Sequence, residues 1–408
     1  MKVVFLMPHY PPEMRQYTRG LAEVGASVLG IGDQPAAALP PEVKPHLSDY
    51  LHVPRIMDED DVVQRAHAWL RGKNVDRVLA NWEPLTLTAA KMRERFGVPG
   101  MSYDVTRGFR DKQIMKERVA AAGLRVPRSF RARTIAEAKR AAEAVGYPLI
   151  VKPIAGAGSA DTYRVDDDKE LMRVLAATKH VAEVSVEEFI DGEEFTFDTV
   201  SRGGVPLYQN VAQYLPKPLT ARSVETINPI IITVRDLAQP KLAGGMALGP
   251  QVLRALHMGD GFTHGEWFLT SKGEAVFGEI GCRPGGAHLV DQMNYTSDID
   301  LFREWARVVC WGDMRGPRAI ADRKYNVAIV FFRARGHGKI TRIEGLSEFL
   351  REHAEHLCEE RLLRPGTPRR DWKQTLLSDG HLIVRHPDWD RAKALADQAA
   401  HQIRMFAQ

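Results

Sequence analysis

The segment from Gly261 to His288 constrains this chain more than any other. Two strand-like runs flank the turn Ser271-Lys272-Gly273-Glu274. Whether that loop holds two residues or four, the register is the same: Thr270 faces Ala275, Glu266 faces Glu279, His264 faces Gly281 and Phe262 faces Arg283. Side chains alternate along a strand, so His264, Glu266, Glu279 and Arg283 share one face. Opposed carboxylates on a hairpin repel. A hard divalent cation such as Mg²⁺ compensates, because it takes carboxylate oxygens and keeps other positions for water or phosphate. The alternative is a solvent-facing strand pair with ordinary surface acids.

Two earlier segments bear on that choice. Residues 149–152 form a short apolar run ending in Lys152. Such a strand buries its side chains, so the lysine needs a partner, and phosphate oxygens are one. The run Ile154-Ala155-Gly156-Ala157-Gly158-Ser159-Ala160 follows. It is either a simple flexible turn or a loop small enough for backbone N–H groups to approach phosphates. It lacks the Gly-Lys-Ser/Thr ending of a P-loop. Further on, Val186-Glu187-Glu188-Phe189-Ile190-Asp191-Gly192-Glu193-Glu194-Phe195-Thr196 is heavily acidic. A strand broken at Asp191-Gly192 could offer free backbone groups to an adenine edge and a glutamate to ribose hydroxyls.

The wider organisation is α/β. In the first hundred residues, strand patterns at 3–7, 26–31 and 77–81 alternate with helical patterns at 15–24, 62–71 and 87–96. That alternation predicts a small parallel sheet flanked by helices. The turn after the first strand reads His9-Tyr10-Pro11-Pro12-Glu13, without the spaced glycines of a dinucleotide site. Helices are expected at 111–122, at 134–145 with Thr134 as N-cap, at 169–177, at 237–255 and at 298–311, with strands across 184–215.

A chain of 408 residues predicts two to four domains. No run approaches the ~18 apolar residues of a membrane span. The initial apolar run meets Pro8, Pro11 and Pro12, which reads as a buried strand rather than a signal peptide. Cys282, Cys310 and Cys358 lack paired spacing, so free thiols and a cytoplasmic location are expected. Acids and bases interleave at a net charge of +4, and the basic excess at 361–370 is broken by two prolines. Neither a nucleic acid nor a membrane is an expected partner.

Taken in order, these pieces resemble the ATP-grasp superfamily over roughly residues 111–288. The marks are the helix Asp111-Lys112-Gln113-Ile114-Met115-Lys116, the Pro-Leu-Ile-Val-Lys-Pro strand ending at Pro153, the Val-Glu-Glu-Phe-Ile strand, and the Glu…Glu-Ile-x-x-Arg-Pro-Gly-Gly ending. Gly-Phe-Thr-His-Gly-Glu is most similar to the L-amino-acid ligase branch, and residues 340–345 and 380–384 look like its closing domain. The resemblance implies a Rossmann-like pre-ATP-grasp domain (1–108), a small lid subdomain (109–184), a catalytic subdomain with the metal site (185–318) and a C-terminal α+β domain (319–408).

It also implies an ATP-dependent carboxylate–amine ligase that forms an amide through an acyl phosphate. An amino acid would be the carboxylate or the amine substrate, and a homodimer is expected only by resemblance. Lys112 and Lys152 would neutralise ATP phosphates, and the loop with Gly156, Gly158 and Ser159 would close over them. Glu187, Glu188, Phe189 and Ile190 would border adenine, Glu188 and Ile190 through their backbones, and Glu194 would hold ribose. Glu266 and Glu279 would bind two Mg²⁺ ions, with Mn²⁺ as a substitute. Arg283 would steady the acyl phosphate, completing a catalytic set with Lys152 and His264.

His264, Arg283 and Lys217 are candidate carboxylate anchors, with Tyr10 and Trp82 shaping the pocket; packing roles compete for each. His288 would orient a phosphate or cap a turn, and Trp267, Trp305 and Trp311 are expected in the core. Family members often carry an asparagine two residues past the second metal glutamate; Gly281 stands there, and water is expected to fill the position. The rival readings are a biotin-carboxylase-like carboxylase and a catalytically weak ATP-binding regulatory protein, with a redox enzyme a distant further one.

Overall fold

A computed structural model of the chain describes residues 1–155, 161–316, 322–375 and 377–408. The chain opens with a four-stranded parallel sheet, ordered Asp49–His52, Ser27–Gly32, Lys2–Leu6, Arg77–Leu79. Val3, Val4, Phe5 and Leu6 are all fully buried, as a parallel strand covered on both faces requires. Val3 and Phe5 pack on Tyr17 and Leu21 of the helix Met14–Glu23. Val4 and Leu6 face the other way, onto Val62 and Ala66 of Glu59–Trp69 and Ala89 and Met92 of Thr86–Phe96.

The next unit is an antiparallel sheet, ordered Ser129–Ala132, Val184–Glu188, Leu149–Pro153, Tyr163–Val165. The helices Ile135–Val145 and Asp168–Ala177 seal one side of it with a small apolar core. Thr134 caps the first helix by accepting the Glu137 N–H at 3.2 Å. The Glu137 carboxylate reaches back to the Arg133 N–H at 2.7 Å, one residue earlier than a capping box predicts.

The rest of the chain is built on an antiparallel sheet with nine strands among the described residues. Its path runs Ala275–Gly281, Gly261–Thr270, Gly192–Arg202, Ala212–Leu215, Ile230–Thr233, Asn326–Phe331, Gly380–His386, Leu357–Leu362, with Val205–Asn210 paired to Gly192–Arg202. A small sheet of Arg335–Gly336, Arg404–Ala407 and Ile340–Glu344 closes the C-terminal end.

The structure corrects three sequence expectations. The helix expected from residue 237 begins at Ala243, because Pro240 starts a separate turn, Pro240–Leu242. The helix expected from residue 298 begins at Leu301, because Asp298, whose φ is +53°, ends a separate helix, Leu289–Ser297, and Asp300 caps the new one. Trp267 and Trp305 are buried as expected, but Trp311 is about half exposed, its indole N–H donating to the Val24 carbonyl at 2.9 Å.

The helix Ala243–Ala255 lies so close to the large sheet that a Cβ on Gly245 would overlap the Trp267 indole, and one on Gly249 the Phe197 ring. Each Gly→Ala change there is therefore expected to destabilise by about 1–3 kcal/mol through overpacking, despite alanine's better helix propensity. Urea denaturation checks this, and a stabilising Gly245→Ala would refute the close packing.

Candidate functional site

The hairpin at Gly261–Thr270 and Ala275–Gly281 brings the two glutamates together, though by a different count from the one the sequence suggested. Next to the turn Leu269, not Thr270, faces Ala275, and Trp267 faces Phe277. The register then slips at Gly278, so that Glu266 faces Glu279 and His264 faces Gly281 after all. The longer turn and the bulge offset each other. A Cβ at Gly278 would come within 2.8 Å of the Glu266 carbonyl oxygen, which is why the bulge carries glycine. Phe262, expected opposite Arg283, instead packs in the core, and the strand ends at Gly281.

The strand Gly192–Arg202 lies on the other side of Gly261–Thr270 and sets Glu194 opposite Phe268, Thr196 opposite Glu266 and Asp198 opposite His264. Glu194, Thr196 and Asp198 thus join the face that carries His264, Glu266 and Glu279. Asp198 accepts from His264 Nδ1 at 2.5 Å, and from the Thr196 hydroxyl and the Asn210 amide on its other oxygen. With Nδ1 so held, His264 turns Nε2 toward Glu266, 3.8 Å away. The Tyr214 hydroxyl donates to the same carboxylate at 3.1 Å.

Cations come from the neighbouring sheet and helix. Lys152 faces Ser185 across its strand pair, and Glu187 lies on that same face. Lys152 Nζ bridges Glu187, at 3.2 Å, and Glu279, at 3.1 Å. Lys112, which begins the helix Lys112–Ala121, lies 3.6 Å from Glu279. One turn on, the buried Lys116 pairs with Glu187, which besides Lys152 is supported by the Ser185 hydroxyl at 2.7 Å. Lys116 was not among the expected site residues; its spacing of four from Lys112 was the available signal.

The charges shape one another. Burial, Glu266 and Glu279 push the Glu194 carboxyl well above the ordinary range. Burial and then Glu279 raise Glu266. Burial also works against ionisation of Glu279, but Lys112 and Lys152 outweigh it and hold that carboxyl well below its usual range. Glu187 is brought down to about 2, Lys116 and Lys152 overcoming its burial. Lys116 falls to about 8 because burial outweighs its pairing with Glu187. Carboxylates crowded on one partly shielded face, two of them reluctant to ionise, are a donor set suited to a hard divalent cation.

Two cavities meet at this cluster. A cavity of about 840 Å³ is bordered by Lys152, Glu187, Glu188, Phe189, Ile190 and Glu194. Within it the Glu188 carboxylate is held by Arg125 at 2.9 Å and by the Arg128 N–H at 3.1 Å, and Arg164 stacks on Phe189 at 4.5 Å. The expected anchor Lys217 pairs with Asp191 at 2.9 Å on this side. Gly156, Gly158 and Ser159 lie outside the described residues.

The second cavity, of about 1310 Å³, contains Tyr10, Trp82, His264, Arg283 and His288. Tyr10 and Trp82 meet edge to face, 5.3 Å between centroids. Arg283 Nε donates to Glu83 at 2.8 Å, and Glu83 also pairs with Arg110. Glu83 is a second residue missed from sequence, since nothing local in Asn81-Trp82-Glu83-Pro84 shows that it will meet an arginine 200 positions away. Lys112, Glu266 and Glu279 border both cavities.

Residues 111–194 match the family described as carbamoyl-phosphate synthase L chain, ATP binding domain. The whole chain superposes on an L-amino acid ligase from Bacillus licheniformis with a TM-score of 0.78 at 19% identity, covering 100% of this chain and 98% of that one. The chain has the ATP-grasp fold. The ATP-grasp fold is also shared with a biotin carboxylase domain dimer of the Hydrogenobacter thermophilus 2-oxoglutarate carboxylase in complex with MgADP and bicarbonate (TM-score 0.67, 16% identity, 99% of this chain and 91% of that one).

Among curated proteins, the L-arginine-specific L-amino acid ligase of Bacillus subtilis is 24% identical over 245 residues. That match covers 58% of each chain, so this ATP-grasp protein spans less than two thirds of that relative's length. Lys112, Lys116, Lys152, Glu187 and Glu194 fall inside the family match at 111–194; Glu266, Glu279 and Arg283 lie beyond it. No helix among the described residues is long and apolar enough to cross a membrane.

Proposed function

We propose that the protein is an ATP-dependent ligase that joins a carboxylate to an amine through an acyl phosphate, with an amino acid as one substrate. The observation that carries this reading is the meeting of the two cavities at Lys112, Glu266 and Glu279, so that a phosphate end in one and a carboxylate in the other converge on the same charges. The smaller cavity takes ATP: Glu188, Phe189 and Ile190 border adenine, Glu194 takes ribose, and Lys112 and Lys152 neutralise the phosphates. In the structure the Glu187 carboxylate is engaged by Lys116 and Lys152, so its part here is to hold those lysines.

Glu266 and Glu279 would hold Mg²⁺, two ions in this reading with Mn²⁺ as a substitute, which supplies charge neutralisation at the phosphates. His264, fixed by Asp198, orients Glu266. Arg283, fixed by Glu83, faces the acyl phosphate. A carboxylate oxygen attacks the γ-phosphorus and ADP leaves; the amine nitrogen then attacks the acyl carbon, and phosphate departs as the amine loses a proton to solvent.

The division into 1–108, 109–184, 185–318 and 319–408 belongs to the same proposal. It is supported by the separate sheets of the first two units. The pairing of Ile230–Thr233 with Asn326–Phe331 crosses the third boundary, so the last two units share one sheet.

ADP release from Mg·ATP, screened over pairs of amino acids and other carboxylates and amines, tests the function. ADP is expected only when a carboxylate and an amine are both present. ADP formed with bicarbonate alone would favour a carboxylase, and ATP binding without turnover in any arm a regulatory protein.

A further inference from the structure

We propose that His288, Glu359 and His381 form a site for a transition-metal dication of the zinc class, separate from Glu266 and Glu279. One ligand atom from each of the three lies within 4.8 Å of the others. Two bonds of about 2.1 Å at a tetrahedral angle separate their donor atoms by roughly 3.4 Å, so small side-chain movements complete the set. His381 Nε2 already sits 2.8 Å from Glu359 Oε1, and the His288 and His381 rings lie 4.6 Å apart.

The second, independent feature is Asp291. Its carboxylate accepts from His288 Nδ1 at 2.9 Å, which fixes the tautomer and leaves Nε2 as the ligand atom. A carboxylate behind a metal-binding imidazole is the usual means of orienting such a ligand. Two imidazoles and one carboxylate suit zinc rather than Mg²⁺ or Ca²⁺, which prefer oxygen.

All three side chains are largely buried. Arg361 also holds Glu359, through Nε at 2.8 Å and Nη2 at 3.2 Å; its side chain is 55% exposed, so it turns out into solvent when an ion takes the carboxylate.

The position gives the site its consequence. His288 follows the double glycine after Arg283 and lines the larger cavity, whereas Glu359 and His381 stand on Leu357–Leu362 and Gly380–His386. An ion there ties the Arg283 loop to the C-terminal strands and leaves its outer position to water or a substrate atom.

The test is a Co²⁺ titration of the chelator-stripped full chain in excess Mg²⁺. One ion per chain is expected, with the visible absorption of a four-coordinate nitrogen and oxygen site, displaced by Zn²⁺ and unchanged in Glu279→Gln. His381→Asn, His288→Asn and Glu359→Gln should each abolish it, and Asp291→Asn should weaken binding about 10–100-fold. Melting curves in chelator identify the variants that remain folded, and these alone are scored. No absorption from the wild-type chain, absorption lost in Glu279→Gln, or absorption surviving in a folded His381→Asn chain would overturn the site.

Discussion

Replacing Glu279 by glutamine is expected to lower ADP release by about 10²–10³-fold, the cost of removing one preorganised charged group from a phosphoryl-transfer site. Glu279 is the carboxylate that Lys112 and Lys152 share, at 3.6 and 3.1 Å, and it faces Glu266 across the hairpin. Glutamine keeps the size and removes the charge, so it takes away a metal ligand without opening a cavity. The change also removes a negative charge from beside Lys112 and leaves Lys116 and Lys152 paired to Glu187, which makes the phosphate end more electropositive. Nucleotide binding in the absence of divalent ion should therefore be retained or tightened while turnover collapses. Steady-state ADP release and calorimetric ADP binding with and without Mg²⁺ separate the two effects. Activity within a few-fold of wild type would remove Glu279 from the site.

The largest stability effect is expected at Glu187. Its carboxylate is buried between Lys116 and Lys152, and Glu187→Gln takes the paired carboxylate from the buried Lys116 and leaves Lys152 with Glu279. Breaking a buried ion pair from one side costs about 3–5 kcal/mol, because an uncompensated buried charge remains. Lys116→Met should cost less, since Glu187 keeps Lys152 and the Ser185 hydroxyl and the methionine fills the same space.

The pH dependence follows from the sign of the shift. The Glu187 carboxyl goes from 4.5 when unfolded to about 2 when folded, so its contribution is fully present above about 4.5. It is lost as pH falls from there through 2. The stability gap between wild type and Glu187→Gln, followed by urea denaturation across that range, should shrink accordingly. A gap that stayed constant would mean that Glu187 supports the fold by packing rather than charge.

Much of this site was readable along the chain because it is built from local pattern. Strands with a lysine or glutamate breaking an apolar run, a helix over residues 111–122 carrying Lys112 and a hairpin with opposed acids are all features of neighbouring residues. The Glu266–Glu279 pairing is an instructive case. It was expected from a simple count, yet the structure reaches it through a longer turn and a compensating bulge at Gly278. The pattern that prevails is the one that puts both carboxylates on the polar face and Trp267 and Phe277 in the core, since burial decides register more strongly than turn length does.

What the sequence determined by itself was the fold class, the order of its pieces and the residue types that a nucleotide and a divalent ion would need. What only the tertiary structure decided was their pairing across long separations: Arg283 with Glu83, Lys152 with Glu279, His264 with Asp198, and His288 with Glu359 and His381. Periodicity places a side chain on the face of its own element. It is the packing of one sheet against another, driven by apolar area that no single element can bury alone, that selects which polar groups are left facing each other.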